Sequence, residues 1–180
     1  MSAAKSGKVV TAETAVRTFN AAGSRVAVAL SYDEMPAFKV KSVDISFGVE
    51  KYSKTGNRGL EHLFLEIESW FNGDIDVLPL ENLDLEKLSS FEKKILCELR
   101  RRVPRGRTVS YGGLAEFAGF PKAARAVGTV MSKNQFPLFF PCHRVIKGDG
   151  SIGFFQGGSA GARLKKALLE MEKMNIRTRA

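Results

Sequence analysis

Apolar and polar positions alternate early in the chain and then shift to helical spacing. Residues 25–32 (RVAVALSY) and 38–47 (FKVKSVDISF) alternate or carry Val and Ile, which predicts two strands, with Met35-Pro36 compatible with a turn between them. Leu60, Leu63, Phe64, Ile67 and Phe71 then recur on one helical face, and Asn72-Gly73 is a good helix stop. Residues 75–88, where Pro79 lies among apolar and acidic positions, read as a strand or a connector. At Ser89 the pattern becomes helical: Ser89 and Glu92 have capping-box spacing, followed by Phe91, Ile95, Leu96 and Leu99. That helix is expected to end near Val103-Pro104, ahead of a basic turn, Arg105-Gly106-Arg107.

Two short helices follow. Ser110 precedes one over 111–118, stopped by Gly119-Phe120, and Pro121 is placed to open another running to about Lys133. In a basic context the pair reads as a helix-turn-helix, although many helical hairpins bind nothing. Pro137 and Pro141 bracket Leu138-Phe139-Phe140, expected to be a buried strand that delivers Cys142 at its end. Leu164, Ala167, Leu168 and Met171 mark the apolar face of a last helix, and the basic tail 173–180 is expected to fray. The fold class is therefore α+β. A strand-and-helix domain over 1–88 supports a mainly helical domain over 89–180.

Composition changes this picture in one respect, the placement of charge. The net charge is +9, yet residues 1–88 carry 10 Lys/Arg against 13 Asp/Glu, and residues 89–180 carry 18 against 6. A positive excess confined to one half is the footprint of a nucleic-acid-binding module; its alternative is a basic surface that keeps the protein soluble. The two cysteines and two histidines have no zinc-type spacing, and no apolar run has the length of a membrane span. Residues 1–14 lack the apolar block of a secretory signal. These features predict a reduced protein of the cytoplasm, or of the nucleus in a eukaryote, with no metal and no membrane. His62 is read as surface or core filler, and Cys97, near an apolar helical face, as structural.

Taken alone, Cys142 reads as a small buried hydrophobe rather than a nucleophile. Its neighbours alter that: His143 could act as a base to generate thiolate, and Arg144 adds positive charge. Read together, Val109-Ser110-Tyr111, the run Lys122 to Gly128 (KAARAVG), Ser132-Lys133-Asn134 and Pro141-Cys142-His143-Arg144-Val145-Ile146 resemble the O6-alkylguanine-DNA alkyltransferases, also called methylated-DNA–protein-cysteine methyltransferases. The resemblance runs through about residues 89–175; before that it extends only to size and strand-then-helix layout.

The resemblance implies an N-terminal domain like ribonuclease H and a helix-turn-helix whose recognition helix enters the minor groove. The substrate would be O6-alkylguanine in duplex DNA, with O4-alkylthymine as a second. The lesion would be rotated out of the stack, and its alkyl group transferred to Cys142 once, irreversibly, by a monomer needing no cofactor. His143 would be the base, acting through a water and oriented by Glu172, with Asn134 at the hinge and Tyr111 donating to the extruded base. Arg125 would fill the gap in the stack. The small residues Ala123, Ala124, Ala126 and Gly128 would allow close approach to DNA, with Lys122 and Ser132 beside them. Met131, Pro137, Val145, Gly153, Phe155 and Gln156 would form the base pocket, completed by a Gly-rich loop over 150–158. Phe155 stands where several relatives carry Tyr, which keeps stacking but loses a hydroxyl, and Gln156 stands where Ser is common, which implies a narrower pocket. Three other readings compete: a lesion-sensing DNA-binding module without transfer, a Cys-His hydrolase, and a helix-turn-helix regulator. The presence of Cys142 argues against the first, and the lack of a second suitable His against the second.

Overall fold

A computed structural model describes residues 13–34, 37–48, 56–153, 155 and 159–179. The turn expected at Met35-Pro36, residues 1–12 and Gln156 lie outside these. Three antiparallel strands come first, β1 (Glu13–Ala21), β2 (Ser24–Asp33) and β3 (Lys39–Phe47), in the order β1-β2-β3. The first of these is absent from the sequence expectation. Its buried positions include two alanines, Ala15 and Ala21, so apolar alternation is weak. Its turn, Ala22-Gly23, has positive φ at both residues, the geometry that joins two strands in a tight hairpin.

Helix α1 (Arg58–Asn72) buries Leu60, Leu63, Phe64, Ile67, Trp70 and Phe71, as the periodicity predicts. Asn57 caps its start, and Gly73 closes it in the left-handed conformation. Residues 75–88 form a connector joined to the sheet by an isolated bridge, Val40 to Leu83, and by the Lys41–Asp84 ion pair. Helix α2 (Ser90–Arg102) carries the Ser89/Glu92 capping box. A two-residue strand β4 (Val109–Ser110) leads into α3 (Tyr111–Phe117), with the Ser110 side chain accepting from Gly113 N. Next come α4 (Ala124–Ser132), a 3-10 turn (Cys142–Arg144), β5 (Val145–Ile146), parallel to β4, and α5 (Ser159–Arg179). The buried apolar side chains of both halves form one continuous cluster.

Three local expectations are corrected. Pro121 does not open α4; residues 121–122 form a turn in which Lys122 has a φ of 72°, and the helix begins at Ala124. Residues 138–140 are buried but form a turn, not a strand, with Leu138 also at a φ of 72°. That turn winds around Asn134, whose Nδ2 donates to Phe140 O (2.9 Å) and whose Oδ1 accepts from Phe136 N (3.1 Å). Side-chain amide groups thus replace the strand ladder that would have satisfied this buried backbone. Finally, Cys97 is exposed rather than packed in the core. The end of α5 is helical through Arg179.

Candidate active site

Cys142 opens the 3-10 turn, its amide donating to Phe140 O at 2.7 Å, and the thiol is buried with 4% exposure. Burial pushes its pKa up to about 11, although a hydrogen bond with Asn134 and the nearby Lys165 cation pull it part of the way back. At neutral pH the resting group is therefore a thiol.

A candidate base is carried by the next residue. His143 is fully buried, and its Nε2 lies 2.9 Å from Glu172 Oε1. Burial lowers the His143 pKa, and the Glu172 carboxylate opposes that effect. Burial alone would raise the pKa of Glu172, but His143 and Arg144 outweigh it and hold the carboxyl well below the usual range. An ionised Glu172 facing Nε2 requires the proton to be on Nε2, which leaves the Nδ1 lone pair free to accept one. Among the described residues Nδ1 has no hydrogen-bond partner. The carboxylate thus orients the imidazole and leaves it one accepting nitrogen, the geometry that general-base chemistry requires.

Arg144 does more than the general positive charge expected of it. Its guanidinium donates to Glu172 through Nε (3.1 and 3.2 Å) and Nη2 (2.8 Å), and through Nη1 to Val103 O (2.8 Å). Gly106 N donates to the second carboxylate oxygen at 3.0 Å. The buried charge is thereby paired and hydrogen-bonded on both oxygens, as burial demands. Lys165 is a second group that sequence reasoning missed. It is 1% exposed, its Nζ donates to Val145 O, and burial lowers its pKa to about 8. The signal was available, since Lys165 and Glu172 lie seven positions apart, on one face of a helix and beside the apolar residues Leu164, Leu168 and Met171.

The half-buried Tyr111 begins α3, and both burial and the proximity of Cys142 raise its pKa. A cavity of about 610 Å³ opens beside it, lined by Ser110, Tyr111, Gly112, Ala124, Arg125, Gly128, Lys147 and Gly148. Four residues expected from the sequence thus share one wall: Tyr111, Ala124, Arg125 and Gly128. Gly153 is buried against the tyrosine, and a Cβ there would sit 2.8 Å from the Tyr111 hydroxyl. Arg125, Ala126, Lys122 and Ser132 are exposed, the Ser132 hydroxyl donating to Thr129 O, while Ala123 packs partly into the core. Met131, Pro137, Val145 and Phe155 are buried, and the Phe155 ring meets His143 edge-on at 6.4 Å. His62 is exposed beside Glu66, away from this site.

Residues 90–174 match a family model described as the DNA-binding domain of 6-O-methylguanine DNA methyltransferase. A methylated-DNA–protein-cysteine methyltransferase of Methanothermobacter thermautotrophicus is 34% identical over 139 residues, 76% of each chain. The mouse protein of the same name is 45% identical over 95 residues, 53% of this chain and 44% of the mouse chain. The chain therefore aligns with less than half of that mammalian relative's length. Among solved structures, the O6-methylguanine-DNA methyltransferase of Pyrococcus kodakaraensis superposes with a TM-score of 0.67 at 27% identity, covering 89% of this chain and 99% of that one. The Mycobacterium tuberculosis OGT in complex with DNA does so with 0.64 at 25% identity, covering 89% and 93%. With the archaeal relative aligned across three quarters of both chains, and the Cys142–His143–Glu172 arrangement in place, this chain belongs to the methylated-DNA–protein-cysteine methyltransferase family.

Proposed function

We propose that this protein reverses DNA alkylation by moving the alkyl group of O6-alkylguanine in duplex DNA, with O4-alkylthymine as a second substrate, onto Cys142. The observation that carries the reading is a buried thiol followed directly by a neutral imidazole. Its second nitrogen is held by an ionised Glu172. In the reaction His143 Nδ1 accepts the thiol proton, directly or through a water, and sulfur attacks the alkyl carbon. The S–C bond forms as the C–O6 bond breaks, and the electron pair leaves with guanine, which takes a proton through the Tyr111 hydroxyl. The product is a thioether, and no group in the mechanism regenerates the thiol, so each molecule acts once. A thiol with pKa about 11 is idle until an aligned substrate and base meet it, which suits a group that is consumed in use.

The organisation follows the same reading. Residues 1–88 form a supporting domain of ribonuclease-H-like type, and residues 89–180 the DNA-binding and acceptor domain of a monomer working in the cytoplasm or nucleus. Helices α3 and α4 act as a helix-turn-helix, and Arg125 enters the base stack as the lesion rotates out. Extrusion costs a few kcal/mol, and less at a damaged pair. The small residues Ala124 and Gly128 on the cavity wall leave room for the DNA backbone. Lys122, Ala123, Ala126 and Ser132 flank that approach, and Met131, Pro137, Val145, Gly153 and Phe155 enclose the extruded base. Intact mass spectrometry after incubation with O6-methylguanine DNA tests the reading. A gain of one CH2 on the peptide containing Cys142 supports it, and an unmodified peptide refutes it.

A further inference from the structure

The site is not confined to residues 89–180. The ring of Trp70, near the end of α1, meets His143 edge-on, with centroids 5.9 Å apart and planes at 82°. Both residues are fully buried. Behind Trp70 lies the guanidinium of Arg105, 4.5 Å from the indole centroid, which also donates to Trp70 O and Ile75 O. Phe155 touches His143 at another edge. The next residue of α1 secures the other half of the pair: Phe71 O accepts from Asn175 Nδ2 at 3.0 Å, one helical turn beyond Glu172. One turn of α1 therefore contacts the imidazole directly and ties down the helix that carries its carboxylate partner.

A single hydrogen bond at Nε2 fixes the distance of an imidazole from its partner but leaves the ring able to tilt about that bond. Packed aromatic walls remove this freedom and exclude water. We propose that Trp70, backed by Arg105, is a positioning residue for His143, through which the first half of the chain sets the orientation and the dry surroundings of the general base. The proposal rests on the reading that His143 deprotonates Cys142.

The groups acting on the imidazole are Glu172 and Lys165 from α5, Arg144 from its own turn, Phe155 from the loop, and Trp70 from α1 with Arg105 over its ring. All of these except Trp70 are unchanged in W70L, so a change in His143 titration reports the loss of the wall. The protein contains only two histidines, so a histidine Cε1–H NMR titration of the full chain resolves both, with H62Q assigning the exposed one. In W70L, water reaching His143 is expected to raise its titration by roughly one pH unit. The acidic limb of the methyl-transfer rate is expected to move upward with it, leaving transfer about tenfold slower on that limb. W70F, which keeps an aromatic ring, is expected to shift both by less. F64L, the loss of a buried aromatic ring from the same helix with no ring contact to His143, is expected to shift neither.

Coincident His143 titrations and rate profiles for W70L and the wild type overturn the proposal, as does an equal shift in F64L. Should W70L not fold, the comparison of W70F with F64L decides in the same way. A wild type that never methylates Cys142 refutes the functional reading instead, while the NMR comparison still reports on the wall.

Discussion

The sharpest test of the proposed chemistry is E172Q, which keeps the shape of the side chain and removes its charge. Glu172 accepts from His143 Nε2, from two nitrogens of Arg144 and from Gly106 N, and every partner approaches as a donor. An amide has one oxygen and one NH2, so either orientation sets a donor against a donor. Leaving a buried polar group unsatisfied costs about 1–3 kcal/mol. Arg144, 1% exposed, also loses its counter-charge, and breaking a buried pair from one side costs about 3–5 kcal/mol. The two penalties overlap, so the larger range applies. At roughly 2–4 °C per kcal/mol for a protein of this size, Tm should fall by about 6–20 °C. The imidazolium formed when His143 takes the thiol proton also loses its stabilising carboxylate. Transfer should therefore slow by about 10²–10⁴-fold, the range of general-base effects. The assay is rapid-quench methyl transfer from an O6-methylguanine duplex, run well below the variant's Tm with its folding verified by circular dichroism. A folded E172Q that transfers within about threefold of wild type would falsify the base-and-orienter mechanism.

Other expectations can be checked alongside. C142A should bind duplex DNA yet acquire no methyl group, and any methylation elsewhere on the chain would point to a different acceptor. G153A places a Cβ where the Tyr111 hydroxyl lies; transfer should fall by about tenfold while urea unfolding shows only a small change, and an unaltered rate would remove Tyr111 from the mechanism. K165M removes an ammonium whose pKa burial lowers to about 8 but also takes the donor from Val145 O, so the two effects oppose and urea unfolding should change by less than about 3 kcal/mol. Transfer should slow, because the Cys142 thiolate loses a neighbouring cation; an unchanged transfer rate would contradict this account of Lys165. For pH, Glu172 is held below its ordinary value of 4.5 and His143 below 6.5. Both are cases in which the unfolded chain binds more protons as acid is added. Their contribution to stability is thus complete above about 6.5 and is lost as pH falls toward the folded values. Acid unfolding monitored by Trp70 fluorescence should show this loss, and a flat stability from pH 7 to pH 3 would contradict it.

The sequence by itself determined much of the local structure. The capping box Ser89/Glu92, the apolar period of α1 with its Gly73 stop and the Ser110 cap at α3 all act within a few residues, so they can be read from spacing. The Pro141–Ile146 run also singled out Cys142 and His143 as candidates, and the family pattern pointed to Glu172, which the fold places against His143. Elements that depend on distant neighbours were not legible. β1 is ordered by pairing with β2 along its whole length, which compensates for its small, partly polar side chains. The turn at 138–140 requires a positive φ at Leu138, a residue with no preference for it, and that backbone holds only because Asn134 satisfies it. The same division applies to the site. Tertiary structure alone closes the 29 positions between His143 and Glu172 to a hydrogen bond, binds Arg144 to that carboxylate, buries Lys165 near the thiol and brings Trp70 from the first half against the imidazole. Periodicity and caps record what a residue asks of its nearest neighbours. Protonation states depend on the groups and the dryness that folding gathers around a side chain, and these keep Cys142 a thiol and Glu172 a carboxylate.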